Sequence, residues 1–123
     1  MTIIMPMAME HEGGNLFRVE IRGTLRKADL DRYQTELAAH MARLGPVKLL
    51  FILEGFDGWE TTDGWRDLSF YVKHGDTIER IAIVGAERWR DEALMFVGAE
   101  LRKSPVRFFV ENAASEARAW LSA

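Results

Sequence analysis

The chain has 123 residues and a mass of 14.1 kDa, the size of one ordinary domain spanning 1–123. It contains no cysteine, which excludes disulfides and cysteine-based metal sites or nucleophiles. The formal charge of -3 leaves no net basic surface for phosphates and argues against nucleic acid as a partner.

Apolar residues make up 48% and charged residues 28%, close to the globular average. No apolar run approaches the ~20 residues of a membrane-spanning helix. The start lacks a charged segment followed by an apolar core. A soluble cytoplasmic protein is the expectation.

The first segment, Ile3 to Glu10, is apolar and carries Met5, Met7 and Met9 in alternation, continuing from Met1. Soft methionine side chains fill core gaps; on an edge strand they could also support a homodimer. Gly13-Gly14-Asn15 reads as a turn. From Leu16 to Ile21, Phe17, Val19 and Ile21 alternate with Arg18, Glu20 and Arg22. That pattern is a half-buried strand, and the two segments together suggest a hairpin.

Between Lys27 and Leu44 the period changes. Leu30, Tyr33, Leu37, Met41 and Leu44 fall on one helical face, and Gly45-Pro46 stops it. Val47 to Leu53 is almost continuously apolar, as in a strand covered on both faces. Glu54 to Thr62 reads as a loop with two exposed-looking aromatics, Phe56 and Trp59. Thr61 or Thr62 can cap a helix running to His74. Ile78 to Gly85 is a second buried strand. A helix follows from Arg90 to Lys103, ended by Pro105, then a short strand from Val106 to Val110. Asn112 is placed to cap a last helix burying Ala113, Ala117, Trp120 and Leu121. The order is β-β-α-β-α-β-α-β-α. Such alternation predicts an α/β fold, with a mixed, largely parallel sheet of about five strands and about four helices.

The pattern resembles the SpoIIAA-like family of the STAS superfamily, whose folds are similar to lipid-binding CRAL-TRIO domains. The residues that carry it are Arg22-Gly23-Thr24-Leu25 opening into a helix with Asp29, Leu49-Leu50-Phe51-Ile52 with the Phe56 and Trp59 loop, and His74. Arg80-Ile81-Ala82-Ile83-Val84-Gly85, Trp89, Val106-Arg107-Phe108-Phe109 and Ala117-Arg118-Ala119-Trp120-Leu121 continue it. The resemblance implies a regulatory or ligand-binding role instead of catalysis. Anti-anti-sigma members carry a phosphorylatable serine at a helix start. The nearest stretch here is Thr61-Thr62-Asp63-Gly64, which makes Thr61 and Thr62 candidate phosphosites in a protein-interaction module. Glu60, Asp63 and Asp67 would oppose a phosphate there.

Enzyme signatures are weak. Glu36 and His40 share helical spacing but no third metal ligand is evident. Glu54 and Asp57 lie at a strand end, where α/β sheets place ligands; a solvated loop or a helix cap is the simpler explanation. His74 reads as a dipole-favoured helix cap. There is no glycine-rich phosphate loop and no serine elbow. No enzyme activity, cofactor or metal is expected. The aromatics say more. Trp59 and Trp89 follow two strands that run parallel in this scheme, which puts them at one end of the sheet with Phe56 and Trp65. Such a group can seal the core edge, line a pocket for a small apolar or lipid-like ligand, or dock a protein or a bilayer surface. Acidic residues crowd Glu54 to Glu79, seven against two basic, which disfavours simple attraction to anionic lipid.

Overall fold

A computed structural model describes residues 7–59, 74, 77–99 and 104–123. Five strands form one sheet in the order of the chain. They are β1 (Met7–Gly13), β2 (Leu16–Leu25), β3 (Val47–Trp59), β4 (Ile78–Gly85) and β5 (Val106–Val110). β1 pairs antiparallel with β2, and the other three pairings are parallel. The described residues hold three α-helices: α1 (Lys27–Leu44), α2 (Arg90–Phe96) and α3 (Ala114–Ser122). The helix expected from Thr62 to His74 lies, but for His74, outside the described residues.

Strand alternation builds two cores. On one face Phe17, Val19 and Ile21 of β2, Leu49, Phe51 and Leu53 of β3, and Ile81 and Ile83 of β4 pack under α1 and α2. Parallel neighbours joined by crossovers of one hand place both helices on the same side. On the other face Leu50, Ala82, Val84 and Phe109 meet Ala117 and Leu121 of α3. β3 and β4 are therefore covered twice, which is why their sequences are unbroken apolar runs. The outer face of β1 and β2 is ionic instead. Arg18 pairs with Glu10, Glu12 and Glu20, and Arg118 of α3 reaches Glu12 at 2.7 Å.

α1 matches its predicted bounds, with Leu30, Tyr33, Leu37 and Met41 buried. Leu44, expected on the same face, is 42% exposed, because the last turn precedes a Gly45 stop at φ 81° whose amide donates back to the Met41 carbonyl. Three expectations are corrected. α2 ends at Phe96, with the Gly98 amide donating to the Met95 carbonyl at a left-handed φ of 66°. α3 is preceded by Ala113, with no side-chain cap from Asn112. Glu54 to Trp59 is strand, not loop.

Candidate functional site

The extension of β3 explains how its aromatics come together. In a regular strand, residues three apart point to opposite faces. Here Leu53, Phe56 and Trp59 are spaced by three, yet all join the core beneath α1 and α2. The register shows the cause. Ile21 pairs with Leu53, Gly23 with Phe56, and Thr24 with Gly58, so β3 carries one extra residue at each of two steps. Gly55 and Gly58, at φ 60° and 107°, supply the left-handed backbone these bulges need. Each bulge returns the next apolar side chain to the core face. Glu54 and Asp57, between them, are exposed.

Beyond β4, a 3-10 turn at Glu87–Trp89 brings Trp89 back over the end of β3. The edge of the indole lies so near Gly58 that a Cβ there would come within 3.3 Å of Trp89 Cη2. Phe56, Trp59 and Trp89 form a mutual edge-on cluster. Ring centroids are 4.9 Å apart for Phe56 with Trp59, 4.9 Å for Phe56 with Trp89, and 6.0 Å for the two indoles. Parallel β3 and β4 thus gather two tryptophans at a common carboxyl rim. Trp65, Thr61 and Thr62 lie outside the described residues.

The cluster covers a cavity of about 10 Å³, room for roughly one water. Phe56 and Trp59 line it with Ile21, Leu25, Phe51 and Phe96, among others, and every described lining side chain is apolar. Trp89 stands outside this wall, packed on it. Phe96, not singled out from the sequence, closes the far side 6.0 Å from Trp59 and 6.5 Å from Phe51. Its signal was the position two residues beyond Leu94 on a short helix. The signal for Phe56 and Trp59 was the repeat Leu53-Glu54-Gly55-Phe56-Asp57-Gly58-Trp59, in which a glycine precedes each aromatic.

Charge frames the rim. Arg22 pairs with Glu20 and Glu54, at 3.5 and 3.1 Å. Arg90 faces Glu87 at 3.6 Å. The Arg88 guanidinium stacks on the Trp89 ring, 5.0 Å from its centroid. Elsewhere His11 and His40 flank Phe17 at 4.5 and 4.8 Å, with His11 engaged by the Gly14 carbonyl and His40 by Arg43. Among the described residues no three metal-ligating side chains converge, and no described helix is long and apolar enough to cross a membrane.

Five strands in unbroken order, opened by an antiparallel hairpin and continued in parallel, define a small mixed α/β fold with an aromatic carboxyl rim. The SpoIIAA-like family model matches residues 16–122, and the chain belongs to that family. A crystal structure of an uncharacterized DUF3478-family protein with a SpoIIAA-like fold, from Shewanella loihica PV-4, superposes with a TM-score of 0.71 at 22% identity. The match covers 98% of each chain and establishes the likeness of fold. No curated protein matches the chain.

Proposed function

We propose that this chain is a non-catalytic regulatory module of SpoIIAA-like type that binds a small apolar or lipid-like molecule at the Phe56, Trp59 and Trp89 rim. The observation that carries the reading is a cavity, apolar throughout its described lining, directly beneath aromatic rings at the carboxyl end of parallel strands, the position where α/β sheets take ligands.

The cavity is far smaller than small-molecule pockets, which run to about 300–1,000 Å³. Binding therefore requires the rings to swing. Their three edge contacts are worth roughly 0.5–1.5 kcal/mol each. Burying an alkyl tail contributes about 0.8 kcal/mol per methylene. A tail of eight or more carbons outweighs the lost ring contacts.

Trp59 and Trp89 would report such a swing directly. Titration with alkanoic acids of increasing length and with phosphatidylcholine vesicles is expected to shift tryptophan emission saturably, with affinity rising with chain length. Unchanged emission across the whole series would refute the reading.

A further inference from the structure

We propose that the ligand is an anionic amphiphile, a carboxylate carrying an alkyl tail, and that Arg88 holds its head; this rests on the apolar-ligand reading above. The described residues of the cavity wall suit a tail and offer nothing to a head, because their side chains are all hydrocarbon or aromatic. The head must be met at the rim.

Among the described residues, Arg22 near the end of β2, Arg88 in the 3-10 turn and Arg90 at the start of α2 stand at the rim. Arg22 is engaged by Glu20 and Glu54, and Arg90 by Glu87. Arg88 has no carboxylate partner among the described residues, and its contact is the Trp89 ring. A guanidinium lying on a ring face is held in place by cation–π attraction while its N–H donors stay available. Its planar fork matches the two oxygens of a carboxylate.

Trp89 packs in turn on Phe56 and Trp59, two neighbouring rings of which both line the cavity. The unpaired charge therefore stands one ring away from the apolar wall, a spacing that suits a tail directed inward and a head at the surface. Of the acids nearest in sequence, Asp91 and Glu92 are exposed on the first turn of α2. Glu87 is held by Arg90. Asp57 is exposed in step with Glu54, which pairs with Arg22 on the outer side of β2, away from the buried Phe56 and Gly58.

The test uses the full chain and three ten-carbon probes below their micelle concentrations: decanoate, 1-decanol and decylammonium, read by tryptophan emission. Decanoate is expected to bind about tenfold tighter than decanol, with decylammonium weakest. In Arg88→Gln, an exposed position whose circular dichroism should match wild type, the decanoate-to-decanol ratio should fall to about one. Equal affinities in wild type, or an unchanged ratio in the variant, would overturn the assignment alone. Displacement of decanoate by acetate at low concentration would also overturn it, by showing a site for free anions. Failure of all three probes to bind would overturn the apolar-ligand reading, and this assignment with it.

Discussion

Gly58 and Gly55 do different work although both have positive φ. A Cβ at Gly55 would meet nothing within 4 Å, whereas one at Gly58 would press on the Trp89 indole. Alanine at either position imposes backbone strain of about 1–3 kcal/mol. Only Gly58→Ala should also move Trp89. Urea denaturation is expected to show both variants destabilised, with Gly58→Ala the worse, and tryptophan emission should change in Gly58→Ala alone. Identical emission spectra in the two variants would show that Gly58 does not seat the ring. At this scale the sequence hid the site, because glycines in a run with acids look like loop punctuation. Bulged strands use the same residues, and pairing with Gly23, Thr24 and Leu25 of β2 is what makes Glu54 to Trp59 a strand. A second local miss has a similar cause. Asn112 is a favourable cap type, but the chain turns through Glu111 and Asn112 and starts its helix from Ala113.

Among the elements, α3 is held by a small core. It buries Ala117 and Leu121 fully and Trp120 in part. Arg80 of β4 compensates. Its Nη1 donates to the Trp120 carbonyl at 2.5 Å while the guanidinium stacks 5.3 Å from the Trp120 ring. A charged donor at a helix C-terminus satisfies an orphan carbonyl and favours the dipole. Arg80→Met keeps much of the stem but removes both contacts, at a cost of about 2 kcal/mol. Amide exchange should then quicken along Ala114 to Ser122 while β2 and β3 keep their protection. Uniform quickening across the sheet would mean that α3 opens only with the whole molecule. The helical faces themselves were legible: the spacing of Leu30, Tyr33, Leu37 and Met41 fixed α1, and Ala117 and Leu121 fixed the buried side of α3. Helix ends were less so, since Gly98 ends α2 well short of Pro105, and an isolated glycine inside an apolar periodicity is tolerated often enough to be read through.

For the molecule as a whole, a mixed, largely parallel sheet and its two central strands were legible in the periodicity. Val47 to Leu53 and Ile78 to Gly85 have no polar face, so they had to be central, and the alternating Leu16 to Ile21 had to leave one face to solvent. What periodicity could not supply was how the two faces share the load. One is an apolar core spanning α1, α2 and four strands; the other combines the small core under α3 with the ion pairs across β1 and β2. Exposed pairs are worth about 0–1 kcal/mol each, and about 1 M salt cuts the screening length to ~3 Å. Truncating a core aromatic costs about 3–5 kcal/mol, a large share of a net stability of about 5–15 kcal/mol. Phe51 is the sharpest probe, because it is 2% exposed and touches Tyr33 of α1 and Phe96 of α2 through its edges. In one set of urea titrations, Phe51→Ala should lower the unfolding free energy by about 3–5 kcal/mol, while raising salt to about 1 M should change wild type by less than about 1 kcal/mol. If salt instead removed stability on the scale of the Phe51 truncation, the ionic face would be a principal support of the fold, and the apolar sheet could not be what holds the aromatic rim in register.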